Sequence, residues 1–407
     1  MNFKLYESLR LIRLNVFRKT QEEFGQLIGL NKRKISDLEI GKLDFTPFYQ
    51  DKINSIYEFH LDINKAAENL FNQWRKKVYQ SHVMYDGQAK TIFNQCPLDL
   101  SIIKHTPLYI DYKVLEFIVC KENFTENDIQ HLNNSLFIED FLNYYLFRLY
   151  FSGYLHESRN FNQSKEIYCF LKPYPEYPMI NSMYHYIGSI IYERNNDFRE
   201  ANNHVFKAKN LFKSLHNEKR YYFSVMQEAI ILMCLQEYEK STKLYYETLE
   251  YFKEEQMIPL IYSTLCNVSW NHLLTGNYDK AEEIMPLIPA EAKKGSFYYF
   301  IYVVCAYKSN DINECLHYID LCIENKDTES FNTRYCKLIK NAIKYGENYR
   351  YELQAETIYN RLVKNKEFSN ARFMALQLHE HYKKRRKEAK AKKWFELYTS
   401  KEMETTE

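Results

Sequence analysis

The sequence has 407 residues but only 9 Gly and 9 Pro, where average usage of about 7% and 5% would supply roughly 28 and 20. So few turn-formers argue against sandwiches, barrels and doubly wound folds, which punctuate every strand with them. With 45% hydrophobic residues the chain reads as all-α, with few tight turns expected. The formal charge of +2, from 55 basic and 53 acidic residues, leaves any nucleic-acid binding to a local patch rather than to bulk charge.

The nine cysteines are scattered and form no Cys-x-x-Cys pair, so neither a disulfide framework nor a zinc site is expected. They read as small core residues in a reducing cytoplasm. Met1–Leu14 already carries Lys4, Glu7, Arg10 and Arg13, which argues against a secretion signal. The longest apolar run, Phe297 to Tyr307, is too short to span a bilayer. Catalytic signatures are missing as well: there is no His-Glu-x-x-His, no Gly-rich phosphate loop and no Gly-x-Ser-x-Gly. His379-Glu380-His381, set among Lys and Arg, reads as part of a solvated helix. A cytoplasmic, non-enzymatic protein without metal or cofactor and without a membrane partner is expected.

From the amino terminus, Leu5, Leu9, Ile12 and Val16 recur at helical spacing and predict an amphipathic helix. Thr20 with Glu23 forms a capping box that starts a second helix, with Phe24, Leu27 and Ile28 as its buried face. Gly29 breaks that helix, and Asn31 caps a third whose core residues are Ile35 and Leu38. Gly41 ends it as a C′ glycine. The run from Thr20 to Lys42 (Thr-Gln, a small residue at Gly25, Gly29-Leu30 at the turn, Ile35-Ser36, Glu39-x-Gly41) resembles, without a gap, the helix-turn-helix of the phage-repressor-like XRE family.

That resemblance implies that the helix from Lys32 lies in the major groove with its first residues facing base edges. Lys32, Arg33 and Lys34 would donate to bases and phosphates, Ser36 would reach a phosphate, and Gln21 would contact backbone and base. Within residues 1–42, nine cations (4, 10, 13, 18, 19, 32, 33, 34, 42) face five carboxylates (7, 22, 23, 37, 39), a local surplus of four.

Asp62 can cap a helix striped by Ile63, Ala66, Ala67, Leu70, Phe71, Trp74 and Val78. The stripe suits a helix that joins domains or packs on a twin in a dimer, and equally the first helix of the next domain. From about residue 140 a repeat emerges. Its best copy, Leu265 to Ala281, with Gly276-Asn277-Tyr278-Asp279-Lys280-Ala281 as turn and helix start and Pro289 as terminator, resembles the tetratricopeptide (TPR) signature. Small residues recur in the role of Ala281 at 164, 201, 241, 281, 315, 355 and 389, at spacings of 37, 40, 40, 34, 40 and 34. A degenerate TPR solenoid is expected, in which each repeat buries its face only against its neighbours.

In TPR arrays the first helix of each repeat lines a groove, and an Asn there can grip the backbone of an extended peptide. On this register Asn267, Asn271, Asn341 and Gln227 are the candidates, with Arg334 available for a peptide carboxylate. The run Lys383–Lys387 with Lys390, Lys392 and Lys393 reads as the basic outer face of a terminal capping helix, with Ala389, Ala391, Trp394, Phe395 and Leu397 on its other side.

Together these parts predict an XRE-type head over residues 1–62, a linker helix over 63–80 and TPR-like repeats over 81–407. This order resembles the RRNPP group of quorum-sensing regulators. The resemblance implies a cytoplasmic, homodimeric transcription factor that binds a near-palindromic double-stranded operator and a short imported signalling peptide. Two alternatives stay open: a Rap-like TPR adaptor acting on a protein partner, and a phage or plasmid repressor without a peptide ligand.

Overall fold

A computed structural model of the protein describes residues 3–60, 63–136, 141–288, 295–324 and 330–400; the expected cap Asp62 and terminator Pro289 lie outside them. Every regular element among these residues is helical. No helix among them is long and apolar enough to cross a membrane. The chain divides into two compact units, one comprising Met1–Ile191 with Lys207–Tyr221 and the other Tyr192–Phe206 with Tyr222–Glu407.

The first unit opens with α1 (Phe3–Ile12), α2 (Gln21–Ile28), α3 (Lys32–Glu39), α4 (Pro47–Asn54) and α5 (Lys65–Met84). They are followed by α6 (Ala89–Asn94), α7 (Leu100–Ile103), α8 (Tyr109–Val119) and α9 (Glu126–Ser135). One hydrophobic core runs from Leu5 through Phe24, Trp74 and Phe117 to Ile167. It is therefore continuous across residue 62. Helix α5 starts at Asn64, whose side chain accepts from the Ala66 amide. Its first turns are exposed, Leu70 included, while Phe71, Trp74 and Val78 are buried and the Trp74 indole donates to the Ile92 carbonyl.

Two expectations at the start of the chain fail for local reasons. After α1 the backbone widens into a π-helical turn over Arg13–Phe17, which adds a residue to the turn and rotates the face. Arg13 is thereby buried and Val16 is 45% exposed, although the helical spacing placed Val16 in the core. Leu27, expected inside, is 50% exposed, because Phe24 and Ile28 already fill the contact of the short α2.

From residue 141 the chain is a series of helical hairpins, each an A helix and a B helix. They are α10 (Phe141–Glu157) with α11 (Phe161–Cys169), α12 (Pro178–Arg194) with α13 (Phe198–Ser214), and α14 (Glu218–Cys234) with α15 (Tyr238–Glu254). Then come α16 (Ile258–Leu274) with α17 (Tyr278–Ile284), α18 (Ser296–Lys308) with α19 (Ile312–Glu324), α20 (Phe331–Tyr345) with α21 (Tyr349–Lys364), and α22 (Phe368–Lys384) with α23 (Glu388–Thr399). The fourth residue of each B helix is buried: Ser164, Ala201, Ser241, Ala281, Cys315, Glu352 and Ala391. The Ser164 and Ser241 hydroxyls and the Cys315 thiol each donate to a carbonyl of their own A helix twelve residues earlier (Ser152, Ala229 and Val303). The two helices cross closely there, and a small donor both fits and satisfies the partner backbone. In the last two hairpins the register differs from the sequence expectation. Glu352 holds the position assigned to Ala355, and Ala391 the one assigned to Ala389, which is exposed.

Tight turns are plentiful, contrary to the inference from scarce glycine. Among the described residues eleven helices end in the same motif, with an amide bonding back to the carbonyl five residues earlier, as Leu30 to Gly25 and Glu237 to Leu232. This is the Schellman arrangement, which needs a left-handed residue just before that amide. Glycine fills it at Gly29, Gly41 and Gly276; Arg159, Asn196, His216, Gln236, Gln256, Asn310, Lys366 and Arg386 fill the others, with φ between 53° and 63°. A left-handed non-glycine residue costs roughly 1–2 kcal/mol, and glycine recovers it less about 0.5–1 kcal/mol of extra freedom in the unfolded chain. Gln256→Gly and Lys366→Gly should therefore each stabilise the protein by about 0.5–1 kcal/mol, read as a raised unfolding midpoint in urea; an unchanged or lowered midpoint would show that the side chains repay the strain.

Candidate functional site

The α2–α3 pair is fixed from both ends. Thr20 and Glu23 form the expected capping box, and the Asn31 side chain accepts from the Lys34 amide to start α3. At Gly25 a Cβ would stand 2.5 Å from the Leu30 carbonyl oxygen, so the turn between the helices admits no side chain there. Gly29 supplies the left-handed turn at φ 69°. Behind α3, the Arg13 guanidinium grips the buried Glu39 carboxylate at 2.5 and 3.0 Å, and Gln21 Nε2 donates to the same carboxylate at 2.9 Å. The chemistry is a bidentate fork closed by a third donor, which sets the rotation of α3 about its axis.

With α3 so held, Lys32, Arg33 and Lys34 are exposed on its first turn, and Ser36 is half-buried one turn on. Arg33 is nearly fully exposed, with Asp37 3.8 Å away. Gln21 sits at the start of α2 with its amide N–H directed at Glu39, which leaves its carbonyl oxygen for an outside donor. Four of the five residues singled out in the sequence thus lie at the amino-terminal ends of two adjacent helices, and Ser36 lies one turn further along α3.

Helix α1 is anchored in turn. Lys4 meets the Asp111 carboxylate at 2.9 Å, Arg75 of α5 meets the same group, and Asn143 of α10 donates to it at 2.8 Å. Burial alone would raise the Asp111 carboxyl, but Arg75, Lys4 and Asn143 together hold it below the usual range. Ser8 adds hydrogen bonds with the Pro107 carbonyl and the Ile110 amide, and Asn15 pairs with His131.

The second candidate surface is the inner face of the second unit. Asn271 is 1% exposed, and its amide donates to the Tyr238 carbonyl and the Thr242 hydroxyl, so it ties α16 to the preceding B helix. Gln227 is buried, Asn267 and Arg334 are half-buried, and Asn341 donates weakly to Gln354 at 3.4 Å. These five residues are not brought together in one open groove. The reason is α22, which the sequence marked as solvated at His379–His381 and which is buried along most of its length. Phe373 packs on Trp270, Phe300, Phe331 and Tyr335, so one side chain of α22 contacts α16, α18 and α20 at once. Arg372 donates to the Cys234 carbonyl, while Glu380 accepts from Tyr278 and pairs with Lys308.

His381 is buried between Glu347 at 3.0 Å and Glu352 at 3.3 Å. The carboxyl of Glu347 is pushed down to about 2, chiefly by its hydrogen bond to His381. For Glu352 burial alone would raise the carboxyl, but Lys387, His381 and Tyr382 outweigh it and bring it to about 2. Sequence spacing could not have found this cluster, because its members come from α21, α22 and the turns that precede α21 and α23. The thiols carry no such activation. Burial pushes Cys234, Cys266, Cys305 and Cys315 up to about 12. No group of three His, Cys, Asp or Glu side chains able to hold a metal occurs among the described residues.

No family model matches the sequence, and no curated protein matches it either. Solved structures do share its fold. A Rap protein complexed with competence and sporulation factor aligns over 82% of this chain and 96% of its own, at a TM-score of 0.64 and 13% identity. The apo form of RapI aligns over 82% and 96%, at 0.55 and 15% identity. Aspartyl phosphate phosphatase F from Bacillus subtilis aligns over 85% and 97%, at 0.51 and 13% identity. At these identities the likeness is one of fold: an all-α chain of TPR-like hairpins.

Because Glu347 and Glu352 titrate near 2 in the fold instead of their ordinary 4.5, their stabilisation is complete above about pH 4.5 and is lost as pH falls toward 2. Glu347→Gln should therefore lower the thermal midpoint at pH 6, and the gap from the parent should close as pH falls from 5 to 2; a gap independent of pH would refute the ionic role.

Proposed function

We propose that this protein is a sequence-specific DNA-binding regulator whose TPR-like array senses a short peptide. The observation that carries the reading is the α2–α3 pair, in which a buried Arg13–Glu39–Gln21 clamp fixes a helix that projects three consecutive cations from its first turn. Residues 1–62 act as the DNA-reading head, 63–80 as the helix that connects it and 81–407 as the sensor. Lys32, Arg33 and Lys34 contact base edges and phosphates, Ser36 a phosphate, and Gln21 the backbone and a base through its remaining hydrogen-bonding capacity. A homodimer would set two such helices about one DNA turn apart and require a near-palindromic operator.

The peptide's place is the inner face of the second unit, with Asn267, Asn341, Gln227 and Arg334 as its polar contacts and Asn271 holding α16 in position. With α22 seated on that face, binding must shift α22 and break contacts such as Glu380–Lys308. A peptide that favours one arrangement by about 1.4 kcal/mol changes operator occupancy tenfold. The likeness to Rap structures over more than four-fifths of the chain supports a second reading, a TPR adaptor that acts on a protein partner in the same closed-or-open manner.

The two separate on one titration. Fluorescence anisotropy with DNA from the protein's own promoter should show binding that weakens with salt, and the triple variant Lys32→Ala, Arg33→Ala, Lys34→Ala should lose at least about tenfold in affinity, with the salt slope reduced by up to about 2.7. All three side chains are exposed, so the fold should be unaffected. An unchanged affinity in the variant, or no binding by the parent, leaves the adaptor reading.

A further inference from the structure

At one end of the last two hairpins, the carboxyl end of α20 and the start of α21 meet the carboxyl end of α22 and the start of α23. Arg385 donates to the Glu347 carbonyl, and Lys387 reaches the Glu352 carboxylate at 2.9 Å, which fixes the four helix ends together. Six cations are exposed here, Lys344, Arg350, Lys383, Lys384, Arg385 and Arg386, and none forms an ion pair among the described residues. The neighbouring carboxylates Glu347 and Glu352 are already engaged by His381, Lys387 and Lys390. Beside the cations stands an apolar ledge, with Tyr345 53%, Tyr349 74% and Leu353 54% exposed. Tyr349 and Leu353 are one turn apart on α21. Next to them Asn341, Tyr345, Arg350 and Gln354 line a shallow dip with room for about one water molecule.

We propose that this end is a docking surface for an acidic segment of a partner protein that carries apolar anchors one helical turn apart. Charge complementarity sets the sign: exposed cations outside any ion pair border a ledge that would otherwise be an exposed apolar patch. The ledge supplies the anchor contacts, and the exposed Arg350 guanidinium beside it is available to a carboxylate. A protein segment fits better than a nucleic acid. Leu353 offers no stacking platform, so the ledge sets an aliphatic contact one turn from an aromatic one, as apolar anchors on a peptide require. The surface belongs to the second unit and α2–α3 to the first, and the proposal does not depend on the DNA-binding reading.

The test uses the full chain and a fluorescein-labelled Glu-rich peptide with Leu and Phe one turn apart. Its controls are the same peptide with Lys for Glu, the same peptide with Ser for Leu and Phe, and single-stranded oligo-dT. The acidic apolar peptide should bind at least about tenfold more tightly than each control, and R350E/K383E and Y349A/L353A should each lower that affinity about tenfold or more. These residues are exposed, and an unchanged melting curve confirms that each variant is folded. Binding of oligo-dT that equals the peptide's, or peptide binding indifferent to Y349A/L353A, would overturn the proposal. So would a concentration-dependent dimer that Tyr349→Glu dissolves, since the ledge would then belong to a second copy.

Discussion

The placement of α3 depends on a chain of buried charges that begins at Asp111. A carboxylate withdrawn from water is tolerated only when its partners replace the lost hydration, and removing one partner leaves a costly unpaired charge. Asp111 collects Lys4, Arg75 and Asn143, and so pins three helices to α8. One of them, α1, leads into the π-helical turn that buries Arg13. Arg13 then grips Glu39, and Glu39 holds Gln21. Two ionic nodes, joined by one helix, thus connect the body of the first unit to the helix that presents Lys32, Arg33 and Lys34. The exposed cations need no internal partner, since their position is decided behind them.

The hairpins follow a different logic, in which backbone geometry dominates. A left-handed residue closes each Schellman turn, a small residue at the fourth position of the B helix allows the close crossing, and where that residue carries a donor it also satisfies a carbonyl of the A helix. Glu352 breaks both rules: it is large, and its carboxylate is held instead by His381, Tyr382 and Lys387 of the next hairpin. The last hairpin therefore combines the repeat's shape with an ionic core, and α22 fills the face that the A helices of its unit present.

Much of this was legible in sequence because it is local. The capping box at Thr20, the Asn31 cap, the small residue at Gly25 and the small residues from Ser164 to Cys315 are all short-range patterns with one physical solution. What escaped was set by distant partners or by backbone detail without a residue signature. Nothing near Val16 announces a π-helical turn. His381 looks solvated until Glu347 and Glu352 arrive from another hairpin, and the burial of α22 is decided by Trp270, Phe300 and Phe331. Scarce glycine excluded sheets correctly yet misled about turns, because arginine, glutamine, asparagine and lysine take the left-handed positions instead.

The claim that α3 reads DNA is tested most directly by where it touches. A photo-crosslinking side chain installed at Arg33, in full-length protein bound to its promoter, should attach to bases in the major groove at two half-sites about 10 base pairs apart. Crosslinks scattered over the duplex without a preferred position, or confined to a bound protein partner, would contradict it.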